Sequence, residues 1–514
     1  MTNHDRYAEH PLDVLSALIL WQETEPCALA VITRIKGGAV RDPGALMAVS
    51  QSGKIAGYIS GGCIDSDIVL QAQLAIKSDQ PRTVHYGAGS PFVDLPLPCG
   101  GTIILMIIPQ PSLEVVSAII QQLTLRRPAL VHVLESGQIL CNSNIDASQS
   151  PELSITYTPK VRLRIAGRGA DCLSLARLGQ FSNFDIKLQM TDSDDVAQAR
   201  ASGLPVTEYL TTPDSLPDPE DDCWTAFILA FHDQSWEASL LKQALDGPAF
   251  YIGAVGSRRT HEKRCTALKA MDVSPDQIGS IHAPVGLVHS LRDASKLAVS
   301  TLAEIVQAET LSSFPDLSET AVILLAAGNS SRFEQGDKLL ASPLDKPLLA
   351  HAAALARQIP AARRVAVTQP DQTERQQILK AAGWQIVINP DAETGQSSSI
   401  RAAISELMMD EHISRVVICL ADMPNVSTDH ILKLCHFADK GHKVVFSSAG
   451  NSILPPAIFS GDLFTDLLKL TGDQGARQLS GIPSPPISIP LSAKEALDID
   501  TLEDLRVFTL HAGP

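Results

Sequence analysis

The clearest fold signal in this sequence is the stretch AVILLAAGNSSR at residues 321–332, which is followed by Lys338. The apolar run at 321–327 is typical of a buried strand, and the small residues at its end let backbone N–H groups reach a phosphate chain. Arg332 can fork onto phosphate oxygens, and Lys338 supplies a compact positive charge. Glycine-rich turns often bind nothing, but two cations directly after a strand favour a phosphate-binding loop.

A second signal follows a later strand-like run at residues 416–420, where the sequence continues ADMP at 421–424. The carboxylate of Asp422 is then expected at the carboxyl end of a parallel strand, where it could hold Mg²⁺. A helix cap or a turn is the commoner role of a single aspartate. Both interpretations stay open from this motif alone.

Outward from these motifs, strand and helix patterns alternate, which predicts an α/β protein. In the last third, further strand patterns lie at 365–368, 386–388 and 444–447. In the middle third, strands are predicted at 162–166, 186–190, 226–231 and 250–255, and a helix at 294–309. We therefore expect an N-terminal α/β domain at 1–150, a Rossmann-like parallel-sheet domain at 151–310, a linker at 311–320 and a C-terminal Rossmann-like domain at 321–514.

Length and composition agree with this division. The chain has 514 residues, which corresponds to about three domains at roughly 150 residues each. Its formal net charge of −16 argues against a partner that is a nucleic acid or a membrane surface. The sequence has 9 cysteines, no CxxC pair and no apolar N-terminal signal, so we expect a soluble, cytoplasmic protein.

The motifs of the last third resemble the MobA-like nucleotidyltransferases, whose loop reads LAAGxSxR followed by a lysine and a later aspartate. The segments at 395–401, 471–477 and 498–501 are similar to the MocA branch, the molybdenum cofactor cytidylyltransferases. Ala327 stands where the guanylyl branch has a second glycine, which favours cytidine. The resemblance implies a GT-A-like domain that transfers CMP from CTP to molybdopterin with Mg²⁺.

That resemblance implies roles for individual residues. Lys338, Arg332 and Asp422 are the predicted catalytic residues, and Asp422 and Asp500 are the predicted Mg²⁺ ligands. For Ser397, Ser398 and Ser399, helix capping is about as good an interpretation as contact with base or phosphate. The predicted nucleotide-binding residues are Leu325, Ala326, Ala327, Gly328, Ser330, Ser397, Ser398 and Ser399.

Two glycine-flanked cysteines mark the first third, in SGGC at 60–63 and CGG at 99–101. A thiol among glycines is accessible, and thiolates suit molybdenum–sulfur centres. From spacing alone, buried and inert cysteines would be the better interpretation.

Three further segments favour a functional role for the two cysteines, because together with the cysteine motifs they resemble the XdhC/CoxI family. These segments are RDPG at 41–44, YIGAVGSRR at 251–259 and PVGL at 284–287. The resemblance implies binding of the molybdenum cofactor, its sulfuration or protection, and delivery to an apo-enzyme of the xanthine dehydrogenase type. Cys63 and Cys99 are the candidates for cofactor contact. A sulfurtransferase and a second copy of the chain, forming a homodimer, are further candidate partners.

The middle third also has a candidate nucleotide site. A glycine pair follows its first predicted strand, an acidic residue lies at the spacing of a ribose contact, and a basic segment opens a later helix. A Rossmann-type scaffold that holds no cofactor fits the sequence about as well. The candidate residues are Gly167, Gly169, Asp192, Ser257 and Arg258.

We therefore expect an XdhC-like cofactor carrier fused to a MocA-like cytidylyltransferase. Three alternatives remain open. The transferase could use another base or acceptor, such as a guanylyl or sugar-phosphate group. The chain could be a non-enzymatic molybdenum cofactor chaperone. The chain could be a nucleotide-dependent oxidoreductase that uses its middle domain.

Overall fold

The structure is a computed structural model. The residues it describes are 6–62, 64–87, 100–142, 150–231, 233–312, 317, 319–329, 333, 336–343, 346–359, 361–410, 412–439, 441–450, 452–472, 475–481 and 487–511. The chain divides into two compact units, one formed by residues 1–158 with 316–514 and the other by residues 159–315. Among the described residues, no helix is both long enough and apolar enough to cross a membrane.

An N-terminal α/β domain opens the first unit. In chain order its elements are α1 (Pro11–Gln22), β1 (Cys27–Lys36), β2 (Leu46–Ser50), β3 (Ile55–Gly57), α2 (Asp65–Ser78), β4 (Arg82–Gly87), β5 (Thr102–Pro109), α3 (Leu113–Thr124), β6 (Ala129–Leu134), β7 (Ile139–Cys141) and β8 (Pro151–Tyr157). The strands form an antiparallel sheet of order β3-β2-β1-β5-β4 and a three-stranded sheet of order β7-β6-β8.

Strand β1 lies in the middle of the larger sheet and is apolar because both of its faces are covered. Helices α1 and α3 pack on one face and α2 on the other. Strand β8 pairs with β6, and residues 1–158 belong to the first compact unit.

The second unit is a Rossmann-like domain. In chain order its elements are β9 (Arg162–Gly167), α4 (Gly169–Phe181), β10 (Asp185–Met190), α5 (Ser193–Ala201), β11 (Val206–Tyr209), β12 (Thr225–Ala230), α6 (Gln234–Leu245), β13 (Tyr251–Ala254), α7 (Arg258–Lys269), α8 (Pro275–Gly279) and α9 (Ala294–Leu311). All pairs in its sheet, of order β11-β10-β9-β12-β13, are parallel, which confirms the predicted Rossmann-like parallel sheet.

The C-terminal domain completes the first unit. In chain order its elements are β14 (Thr320–Leu325), α10 (Leu348–Arg357), β15 (Arg363–Thr368), α11 (Thr373–Ala381), β16 (Gln385–Ile388), α12 (Gln396–Leu407), β17 (Arg415–Leu420), α13 (Thr428–Asp439), β18 (Val444–Ala449), β19 (Ser452–Ser460), α14 (Phe464–Leu467), β20 (Ile487–Pro490) and α15 (Leu502–His511).

The sheet of this domain has the order β16-β15-β14-β17-β19-β18-β20 and is mixed, since β19 runs antiparallel to both of its neighbours. The α/β architecture is confirmed. The sequence patterns did not predict β19, because its two prolines hide the strand signal. Strands β14 and β17 are parallel neighbours, so both end at the same edge of the sheet.

Candidate nucleotide and metal site

The predicted phosphate-binding loop leaves the carboxyl end of β14 and is held by the neighbouring strand. The backbone N–H of Ala326 donates to the carbonyl of Val367 at 3.0 Å. Just beyond β15, Gln369 Nε2 donates to the carbonyl of Ala327 at 2.7 Å. The first residues of the loop are therefore fixed by hydrogen bonds before any ligand arrives.

The loop opens on a cleft with a volume of 280 Å³. The predicted residues that line this cleft are Leu325, Ala327, Gly328, Lys338, Ser399 and Asp422. Ala326 is buried behind them. Ser330 and Arg332 lie outside the described residues.

Lys338 meets two carboxylates beside this cleft, which Lys338 and Asp422 line. Lys338 Nζ lies 2.7 Å from Asp422 Oδ2 and 2.8 Å from Asp500 Oδ1. Burial by itself lowers the pKa of Lys338, but its interactions with both carboxylates outweigh burial and raise that pKa overall. The ammonium is therefore charged and is held between two anionic groups.

Asp498 is a third carboxylate at this site, and the sequence analysis did not assign it a role. One carboxylate oxygen from each of Asp422, Asp498 and Asp500 lies within 4.8 Å of the others. Partial desolvation, followed by the negative charge of Asp422, raises the pKa of Asp498 to about 7. The spacing of Asp498 and Asp500 could have indicated this role, because alternate residues of an extended segment point to the same side.

The residues present fit a hard divalent cation. Asp422 Oδ1 is buried and accepts no hydrogen bond from the described residues, which is costly for a carboxylate oxygen unless a ligand satisfies it. Carboxylate oxygens are the ligands that Mg²⁺ prefers. Asp422, Asp498 and Asp500 are therefore the residues that could hold such an ion.

Local backbone contacts explain why the two acidic segments meet. The N–H of Ile499 donates to the carbonyl of Asp422 at 3.0 Å, which joins the segment before α15 to the end of β17. Asp504 Oδ2 accepts from the N–H groups of Asp500 at 3.1 Å and Thr501 at 2.7 Å. This cap fixes the start of α15 and, with it, the direction of the acidic segment.

The three predicted serines lie in the first turn of α12 and are buried. Ser397 Oγ donates to the carbonyl of Gly472 at 2.6 Å, and Ser398 Oγ donates to the carbonyl of Gly395 at 2.8 Å. These bonds join the start of α12 to neighbouring loops, but they do not cap the helix, whose N-cap residue Gly395 has no side-chain cap bond. Ser399 differs because it also lines the cleft.

A larger cleft of 770 Å³ adjoins the first one and shares Asp422 with it. Its wall combines apolar side chains with three charged residues, Asp422, Arg477 and Asp498. The apolar contributors include Ile400, Phe446, Leu454 and Pro455. A cleft that combines apolar side chains with a few charged groups suits a ring-shaped organic ligand that also carries charge.

In the Rossmann-like domain, the predicted residues lie around helix starts. Asp192 caps α5 by accepting from the N–H groups of Asp194 at 2.9 Å and Asp195 at 3.0 Å. Ser257 caps α7, and Arg258 is exposed in its first turn. Gly169 starts α4, where its N–H donates to Asp195 Oδ2 at 2.7 Å.

Cys63 and Cys99, the predicted cofactor contacts, lie outside the described residues. The turn that precedes Cys63 is held by the buried carboxylate of Asp65, which accepts from the N–H groups of Ile59 at 3.2 Å and Ser60 at 2.9 Å.

Family sequence models match three parts of this chain. The XdhC and CoxI family matches residues 20–87, the XdhC Rossmann domain matches 163–305, and the MobA-like NTP transferase domain matches 322–484.

Two curated relatives and one solved structure show how far the similarity extends. The molybdenum cofactor insertion chaperone PaoD of Escherichia coli (strain K12) is 32% identical over 280 residues, which are 54% of this chain and 81% of PaoD. The purine catabolism protein PucB of Bacillus subtilis (strain 168) is 33% identical over 122 residues, 23% of this chain and 57% of PucB. A structure described as a xanthine dehydrogenase from Bacillus halodurans aligns with a TM-score of 0.49 at 23% identity, over 59% of this chain and 96% of that one.

The match to PaoD covers most of that protein, and the family matches lie in the expected order along the chain. The chain therefore belongs to the XdhC and CoxI family and carries a MobA-like NTP transferase domain after its Rossmann domain.

Proposed function

We propose that the C-terminal domain transfers CMP from CTP to molybdopterin and so makes the cytosine dinucleotide form of the molybdenum cofactor. The observation that carries this proposal is the Lys338 ammonium between Asp422 and Asp500, beside the loop after β14. The MobA-like match supports nucleotidyl transfer. Ala327 supports cytidine, because the guanylyl branch has glycine in that place.

In the proposed reaction, an oxygen of the terminal phosphate of molybdopterin forms a bond to the α-phosphorus of CTP. The bond between that phosphorus and the pyrophosphate oxygen breaks, and pyrophosphate leaves. Negative charge spreads over the transferred group, so catalysis depends mainly on positioning and on cations. Mg²⁺, when bound, neutralises part of this charge.

Different residues of the chain would bind the metal ion, contact the phosphates and orient the triphosphate. Asp422, Asp498 and Asp500 would hold the metal ion. Lys338 lines the same cleft as the loop, so its ammonium can reach a phosphate oxygen as a point charge. The backbone N–H groups of the loop orient the triphosphate.

The larger cleft is the proposed place for the acceptor. Its apolar wall suits the flat pterin ring, and Arg477 supplies a cation for a phosphate group. Because Asp422 borders both clefts, an acceptor phosphate in the larger one and a triphosphate in the smaller one would meet beside it.

We further propose that the first two domains bind the cofactor and deliver it to a molybdenum hydroxylase of the xanthine dehydrogenase type. The similarity to the insertion chaperone PaoD supports this role. Cys63 and Cys99 remain the proposed contacts with the cofactor. A nucleotide at Gly167, Gly169, Asp192, Ser257 and Arg258 also remains a proposal.

The transfer reaction is tested with the full-length protein, Mg²⁺, CTP and molybdopterin, by measuring pyrophosphate release. We expect release by the wild type and by Asp466→Ala, which removes a carboxylate that pairs with Lys469 on the surface. Asp422→Ala should release none. Wild-type release no greater than that of Asp422→Ala would overturn the proposal, and equal rates with GTP would overturn its cytidine part.

A non-enzymatic chaperone is the second candidate function, because PaoD, whose match covers 54% of this chain, is named as a molybdenum cofactor insertion chaperone. Under that alternative, the purified protein would bind the molybdenum cofactor and would release no pyrophosphate from any nucleoside triphosphate.

A further inference from the structure

A buried arginine outside the predicted site contacts the phosphate-binding loop. Arg375 lies on α11, and only 2% of its surface is exposed. Its Nη1 donates to the carbonyl of Ala326 at 2.5 Å and to the carbonyl of Gly328 at 2.9 Å. Both acceptors belong to the backbone of the loop after β14.

These two bonds set the direction of the loop peptides. In a trans peptide the C=O and the following N–H point in opposite directions. Because the carbonyls of Ala326 and Gly328 face Arg375, the N–H groups of Ala327 and Asn329 point away from it. Ala327, Gly328 and Asn329 all line the small cleft. The arginine therefore favours the loop conformation in which N–H groups can serve a phosphate.

The same guanidinium also holds the segment that carries Lys338. Arg375 Nε lies 2.7 Å from Asp337 Oδ2, and its Nη2 lies 2.6 Å from Asp337 Oδ1. Asp337 Oδ1 also accepts from the N–H of Leu339 at 3.0 Å, so the carboxylate shapes the turn that contains Lys338. One side chain thus fixes the residues at both flanks of the loop.

The charge of Arg375 is already compensated by this bidentate pair. Its fork is aimed at Asp337 and at two carbonyls, so it acts on the nucleotide through the loop and not by direct contact. We propose that Arg375 and Asp337 are positioning residues, which hold the phosphate-binding loop and Lys338 in the geometry that the nucleotide requires. This inference rests on the proposed nucleotidyl transfer.

The test compares Arg375→Lys and Asp337→Asn with the wild type. Lysine keeps the charge but cannot make the bidentate pair and both carbonyl bonds, and asparagine keeps the shape but removes the negative charge. We expect each variant to lose roughly 10²-fold in kcat/KM, the order of effect that a misplaced binding group produces. The loss should appear in the KM for CTP, while the KM for molybdopterin stays within about twofold.

Arg364→Lys is the matched control. Arg364 is 1% exposed and donates to the carbonyl of Ile359, near the start of β15 and away from its carboxyl end. Losing this bond tests the effect of disturbing an equally buried arginine of the same domain. We expect its KM for CTP to stay near the wild-type value.

Calorimetric titration of the full-length proteins with CTP and Mg²⁺ gives a second readout that needs no turnover. We expect weaker CTP binding by Arg375→Lys and Asp337→Asn, and the double variant should lose less than the sum of the single losses because the two residues act as a pair. Variants of the pair that match Arg364→Lys in KM and in CTP affinity would overturn the positioning role. A wild type that neither binds nor turns over any nucleoside triphosphate would overturn the transferase proposal itself.

Discussion

The sheets of the Rossmann-like domain and of the transferase domain both have polar side chains at the carboxyl ends of parallel strands, but these side chains make different contacts. At the edge of the Rossmann-like sheet, Asp192 and Ser257 are occupied in capping helices. At the edge of the transferase sheet, Asp422, Asp498 and Asp500 lie close to Lys338, and the buried Asp422 Oδ1 accepts no hydrogen bond from the part of the chain that the structure describes. A cluster of charged groups that is not used in helix capping, and not the fold alone, therefore indicates a candidate ligand site.

The largest effect on the difference between these two sites is expected from a substitution of Lys338. In Lys338→Met the three carboxylates lose their cation. Without Mg²⁺, we expect the free energy of unfolding to fall by about 1.5–3 kcal/mol. We also expect the turnover rate to fall by roughly 10²-fold or more. Mg²⁺ should then stabilise the variant more than the wild type, because no ammonium competes with it. Thermal unfolding with and without Mg²⁺ measures this effect. Equal stabilisation of both proteins would contradict a shared metal and lysine site.

A smaller effect is expected at the edge of the Rossmann-like sheet. A Cβ on Gly167 would lie 2.6 Å from the carbonyl oxygen of Ala230, so strands β9 and β12 would have to move apart. We expect Gly167→Ala to lower the free energy of unfolding by about 1–3 kcal/mol, as overpacking does. Denaturant unfolding measures it. Gly279→Ala, where a Cβ would meet no atom within 4 Å, is the control and should change stability less.

The smallest expected effect concerns Asp192. If this residue only caps α5, Asp192→Ala should cost about 1 kcal/mol in stability, and Asp192→Asn should cost little because asparagine also caps. Neither variant should then change the titration of the protein with NAD⁺ or CTP. A fall in nucleotide affinity in Asp192→Asn at unchanged stability would instead show that this edge binds a ribose.

The sequence predicted local features of the site better than the contacts between them. The strand before Asp422 and the small-residue loop after β14 were recognisable because each is a short, continuous pattern. Arg375 and Asp337 gave no such signal, since they are 38 residues apart and only the packing of α11 under the loop joins them. Asp498 was visible as part of an acidic segment, but its place at the site depends on the contact of Ile499 with Asp422.

The α/β architecture was predictable from the sequence, because hydrophobic periodicity and strand-end motifs depend only on neighbouring residues. Which polar groups cap their own helices, and which are left in a position to hold a ligand, followed from the packing of distant segments. That choice depends on distances of a few ångströms between side chains from different strands and helices. Such distances are set when the core packs, and no local pattern encodes them.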